Sequence, residues 1–190
     1  MLENVIKELE AYGENVISKA KNKLRKNNNT GALSESLKYE LKDTDTDKPK
    51  IVFTGEEYGN SLDLGVQGND PEAQPRGAKI RFNRAPNSPY QFGTGTGTSG
   101  GLRNAIDKWV LQRGGFKVRD EKGRFINRKS MVFLITRSIW NTGLEPTYFF
   151  RDAQDEANRS LKKGLAKALT KDVSKIVKRD IRKNKNFRLK

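Results

Sequence analysis

Leu2, Val5, Ile6, Leu9, Val16, Ile17, Ala20 and Leu24 recur at steps of three, four and seven. That spacing places them on one stripe of an amphipathic helix about 25 residues long. Gly13 interrupts its interior at about 1 kcal/mol relative to Ala, and the run Asn27, Asn28, Asn29 ends it. The stripe serves either as core or as an oligomer contact. Thr30 is placed to cap a short helix on which Leu33 and Leu37 lie one turn apart. Apolar and polar residues then alternate through Tyr39 to Lys42 and again around Ile51, Val52 and Phe53, with Asp43 to Pro49 as turn material between them. A period of two predicts a strand hairpin there.

Tyr58 and Leu62, one turn apart, predict a short helix from Glu56 to Leu64 that Gly65 terminates. From Val66 to Gly101 the pattern changes: Pro71, Pro75, Pro86 and Pro89 stand among repeated glycines, and Ile80 with Phe82 is the one strand-like pair. A loop of this length is expected to be functional, or ordered by a partner. Leu102, Ala105, Ile106, Trp109 and Val110 restore helical spacing up to Gly114 and Gly115. Phe116 to Arg128 reads as an exposed hairpin turning at Asp120 to Gly123, and Met131 to Trp140 as a helix ended by Asn141, Thr142 and Gly143. Ala153, Ala157, Leu161, Leu165, Leu169, Val173, Ile176 and Val177 mark a last long helix from near Asp152.

Composition narrows the function. The 190 residues suit one domain with extensions. Leu, Ile, Val and Phe together number 44, a thin core only just above the level at which high charge keeps a chain unfolded. The absence of Cys and His removes disulfides, thiolate and imidazole catalysis, and the common zinc sites. No cofactor or metal is implied, and no enzymatic activity is expected. No apolar run approaches the 18 residues of a membrane span, and the N-terminus lacks the basic segment followed by an apolar one of a signal peptide, so a soluble cytosolic product is expected. The string Gly95, Thr96, Gly97, Thr98, Ser99, Gly100 matches GxGxxG, but Asn87 to Phe92 before it is not the buried strand a dinucleotide site needs. A flexible linker accounts for it. Glu56 with Glu57, and Asp152 with Asp155 and Glu156, read as charges at helix N-termini.

The formal net charge is +15, and Ala157 to Lys190 carries +11 of it: 13 Lys plus Arg against Asp172 and Asp180. Lys162, Lys163, Lys167, Lys171, Lys175, Lys178, Arg179, Arg182, Lys183 and Lys185 would line the polar side of the last helix and its frayed end. Like charges at steps of three and four repel, so such a surface points to an anionic partner, either nucleic-acid phosphate or an acidic protein ring. No base-reading motif accompanies it, so any contact with nucleic acid is with the backbone.

Three local patterns together resemble the tail-completion, or neck, proteins of tailed bacteriophages. They are Thr30, Gly31, Ala32, Leu33 with Ser36, Leu37; then Tyr58, Gly59 with Leu62, Asp63, Leu64, Gly65; then Gly143 to Ala153, with Pro146, Phe149 and Phe150 inside it. The resemblance covers most of residues 1 to 178. It implies an α+β subunit with a long N-terminal helix, a small mainly antiparallel sheet with packed helices, and a long basic C-terminal helix. One neck-type domain over 1–178, with 67–101 as an extended loop, would precede a basic tail at 179–190. The implied role is structural: a ring, probably of six, in the virion neck, assembled in the host bacterial cytoplasm, that joins tail to head while the genome passes through. Implied partners are further copies, the head-completion and tail-terminator or tail-tube rings, and double-stranded DNA without sequence specificity. The competing reading is a free, sequence-independent nucleic-acid-binding protein. Pro146, which stops helix propagation, and the rings of Phe149 and Phe150 are the expected anchors of the turn into the last helix.

Overall fold

A computed structural model describes residues 2–25, 31–46, 48–74, 78–94, 101–112, 119 and 122–187, the side chains of 184–187 excepted. It is an α+β chain, mostly helical. Where one domain with a tail was expected, the chain divides into two compact units, Met1–Glu56 with Phe149–Lys190, and Glu57–Tyr148.

In the first unit α1 (Glu3–Leu24) lies antiparallel to α6 (Phe149–Phe187), as the pairings of Lys23 with Asp152 and of Glu3 with Lys175 show. The stripe on α1 is core: Val5, Tyr12, Val16, Ala20 and Leu24 are buried. Each fully buried aliphatic side chain contributes about 1.5–3 kcal/mol. Opposite them α6 presents Ala153, Ala157 and Ala168, all buried. These small side chains leave room for the larger ones on α1. Between the helices come α2 (Ala32–Ser36) and the antiparallel hairpin β1 (Lys38–Lys42) and β2 (Lys50–Thr54), in which Tyr39 faces Phe53. Gly13 has a structural reason: a Cβ there would stand 2.6 Å from the Tyr39 ring, so the missing side chain is what lets β1 rest on α1. The short helix opens at Gly31 in a left-handed conformation with no side-chain cap, while Thr30, the expected cap, lies outside the described residues.

The second unit holds α3 (Tyr58–Leu64), the two-residue strands β3 (Val66–Gln67) and β4 (Gly143–Leu144), paired antiparallel, and the helices α4 (Gly101–Gln112) and α5 (Arg128–Thr142). Val110, Met131 and Val132 form its apolar centre, with Ile106, Trp109, Ile126 and Ile135 against them. The Asn127 carboxamide caps α5 by accepting from the Ser130 N–H at 2.8 Å.

Several expectations change. Ile80 and Phe82 form no strand; the strand in this region is Val66–Gln67. The hairpin expected at 116–128 reduces, among the described residues, to a single bridge between Arg119 and Phe125. The last helix begins at Phe149, three residues before Asp152, and runs unbroken past the boundary expected at 178/179 to Phe187. Asn27 to Asn29, Gly114 and Gly115, and the GxGxxG string lie outside the described residues.

Candidate functional site

The expected anionic-partner residues all sit on α6, and of these Lys162, Lys163, Lys167, Lys171, Lys175, Lys178, Arg179, Arg182 and Lys183 are exposed. The Lys185 side chain lies outside the described residues. Lys175 reaches Glu3 at 3.5 Å and Arg179 approaches Asp180 at 3.9 Å. Both pairs are open to solvent and add little stability. Along the first half of the helix Glu156 accepts from Lys19 at 3.0 Å and pairs with Lys23 at 2.9 Å, and Asp152 lies 3.6 Å from Lys23. These hydrogen-bonded ammonium groups lower the Glu156 pKa to about 2, and the same bond raises that of Lys23. Asp152 and Glu156, expected as helix N-terminal charges, are therefore also part of the contact between α1 and α6.

Asp172 was counted as one of two acids in a basic run, but the fold uses it differently. It is buried at 2% exposure, on the inner face one turn after Ala168. Its carboxylate accepts from the backbone N–H of Asn4 at 2.9 Å and of Val5 at 3.0 Å, and from the Asn4 carboxamide. Leu2, at the N-cap of α1, has no side-chain cap. A carboxylate 168 residues beyond Asn4 thus supplies the cap, satisfying otherwise unpaired N–H groups and meeting the positive end of the helix dipole. Burial pushes the Asp172 pKa up, but these hydrogen bonds and Lys175 more than offset it and leave it below the usual value.

The second and third sequence motifs meet in space within the second unit. The Thr147 N–H and hydroxyl both donate to the Leu62 carbonyl, at 3.2 and 2.9 Å, and the Tyr148 N–H donates to the Asp63 carbonyl at 3.0 Å. Gly65, at φ +74, turns the chain where a Cβ would stand 2.6 Å from the Leu144 carbonyl and 2.8 Å from the Pro146 nitrogen. Pro146 is half-buried, and Tyr148 takes a left-handed φ of 49° immediately before α6. In the first unit Phe149 is 3% exposed, and Phe150 packs edge-on to Phe53 with ring centroids 5.3 Å apart. Both rings therefore lie in the first turn of the helix, not in a turn before it.

The long Gly/Pro segment finds contacts within its own unit over its described residues 66–74 and 78–92. The Gln67 N–H donates to the Tyr90 carbonyl at 2.8 Å, and the Gln67 carbonyl accepts from Phe92 at 3.0 Å. The buried Ser88 hydroxyl donates to the Gly65 carbonyl at 2.7 Å, and the Asn83 carboxamide oxygen accepts from Gly68 and Ala85 at 3.2 and 3.1 Å. The Arg84 and Asn69 N–H groups reach the last carbonyls of α5, at Thr142 and Trp140. A neighbouring subunit is not needed to supply these contacts. No strand leads into the glycine string: Gln91 makes one parallel bridge to Gln67, and turns follow.

Among the described residues no group of acids could hold a metal ion, and no helix is long and apolar enough to cross a membrane. No family model, curated protein or solved structure matches the chain.

Proposed function

We propose that this chain is a structural, non-enzymatic protein of the phage neck, whose copies form a ring that completes the tail and joins it to the head around the passing genome. The observation that carries this reading is the convergence of motifs. Residues 62–65 and 144–148, about eighty positions apart in sequence and recognised separately, are bonded to one another in one corner. The remaining motif supplies Leu33 and Leu37, both buried in the first unit. Such corners hold shape and carry no reactive group, which suits a scaffold.

In this role the exposed cations of α6 attach the protein to an anionic surface of the particle. Virions lacking the protein should accumulate as filled heads and separate tails, and electron micrographs of the purified protein should show rings. Normal joining of heads and tails in its absence would refute the proposal.

The exposed basic helix also favours a second reading, a free nucleic-acid-binding protein without sequence preference. Truncation after Val177 removes Lys178, Arg179, Arg182, Lys183, Lys185, Arg188 and Lys190 against Asp180, a change of −6. The truncated protein should fold normally and bind duplex DNA more weakly at low salt, with a shallower salt dependence. If heads and tails joined normally without the protein while the full-length chain bound duplex DNA, the second reading would replace the first.

A further inference from the structure

Within the first unit, α1 and α6 enclose a cavity of about 270 Å³. Asn4, Lys7 and Glu8 line it from one helix, and Gly164, Lys167 and Lys171 from the other. These residues recur at steps of three and four, so each helix gives one face to the cavity. Three lysines and one glutamate thus line a single space, and among the described residues none of these four charged groups forms an ion pair. The neighbouring acids are engaged elsewhere: Asp172 holds the amides of Asn4 and Val5, and Glu3 lies 3.5 Å from Lys175. Gly164 makes room for the arrangement. A glycine inside a helix costs about 1 kcal/mol relative to Ala, and a Cβ at this one would collide with the Glu8 carboxylate. The missing side chain lets that carboxylate lie half-buried against the backbone of α6.

We propose that this cavity is a binding site for inorganic phosphate, taken up as the monohydrogen dianion. Three cations and one carboxylate leave two positive charges, which the dianion cancels. Its unprotonated oxygens accept from the ammonium groups of Lys7, Lys167 and Lys171, and its one hydroxyl donates to Glu8. Asn4 gives one carboxamide N–H to Asp172 and keeps a second for the ion. Sulfate has the same charge and shape but no proton, so one of its oxygens would oppose the Glu8 carboxylate with nothing between them. A phosphodiester of DNA has a single charge and no proton, and matches the site less well. The volume lies below the roughly 300 to 1,000 Å³ of sites for larger ligands, which suits a small ion. The inference rests on α1 and α6 alone and survives failure of the neck assignment.

The test is calorimetric titration of the full-length protein with sodium phosphate, in low-salt buffer slightly above neutral pH. One phosphate should bind per chain, at least tenfold more tightly than sulfate, and should raise the melting temperature. Gly164→Ala, which leaves every charge in place, and Lys171→Gln should each weaken phosphate binding at least tenfold. Lys178→Gln, on the same helix outside the cavity, should bind like the wild type. Glu8→Gln should lose the preference and take sulfate as well as phosphate, because a carboxamide can donate as well as accept. Circular dichroism should be unchanged in all four variants. Absence of saturable phosphate binding overturns the proposal. Equal binding of sulfate by the wild type, or an equal loss in Lys178→Gln, also overturns it by reducing the effect to general attraction toward a cationic helix. A tenfold loss of duplex-DNA affinity in Gly164→Ala would assign the cavity to backbone phosphate instead of the free ion.

Discussion

The two units hold themselves together by different means. In the Met1–Glu56 and Phe149–Lys190 unit, apolar stripes of two long antiparallel helices meet, and the rings of Tyr12, Phe53 and Phe150 pack together against them. In the Glu57–Tyr148 unit a comparable length of chain contains a small apolar centre and an irregular segment tied down by Gln67, Asn83 and Ser88. Apolar packing is spread over many contacts and tolerates local adjustment, whereas a polar tether depends on the position of single atoms. The contrast shows how a chain with few large aliphatic residues can still fold: where stripes run out, side-chain amides and hydroxyls satisfy the backbone.

The largest effect should come from the packed unit. Phe149→Ala is expected to remove about 3 to 5 kcal/mol, and Phe150→Ala less, because that ring is only partly buried. Urea unfolding of both variants checks this order; unchanged stability in both would show that aromatic packing does not hold the start of α6. In the tethered unit Gly68→Ala should cost about 1 to 3 kcal/mol, since the new Cβ would stand 2.0 Å from the Asn141 carbonyl. Hydrogen exchange should then rise at Gln67 and Phe92 while remaining unchanged at Val16 and Ala157. Equal loosening of both units would erase the distinction between them.

A smaller effect is expected from Asp172→Ala, which leaves the amides of Asn4 and Val5 without their acceptor. Melting should fall by several degrees, with fraying confined to the first turn of α1. The pH dependence follows from the direction of the shift. Because the folded carboxyl is more acidic than in the unfolded chain, its contribution is complete above the ordinary Asp value and is lost as pH falls through the lowered one. Acid titration of melting temperature should therefore be flatter for Asp172→Asn than for the wild type. Glu156→Gln should have the smallest effect. Its contribution to stability disappears between about pH 4.5 and about 2. The loss at neutral pH should vanish in high salt, because Glu156, Lys19 and Lys23 are all open to water.

Much of the helical architecture was legible because its signals are periodic. The Val5 to Leu24 stripe, the alternation around Ile51 to Phe53 and the Gly65 stop each act over a few neighbouring residues, so their consequences appear in the local order. The basic surface was legible for the same reason. The tethers were not, since nothing near Asn83 or Ser88 announces that its partners are Gly68 and Gly65.

Asp172 marks the division most sharply. The sequence by itself determined the long helices, the hairpin and the crowding of cations into the last forty residues, because propensity, spacing and charge are properties of neighbours along the chain. The tertiary structure decided which apolar residues of α6 face inward and which remain outside, a choice that the continuous run from Ala153 to Val177 leaves open. It also decided that an acid among lysines caps a helix at Asn4, 168 residues earlier. A carboxylate satisfies whichever N–H groups it is folded against, and only the antiparallel packing of α1 on α6 brings those groups to it.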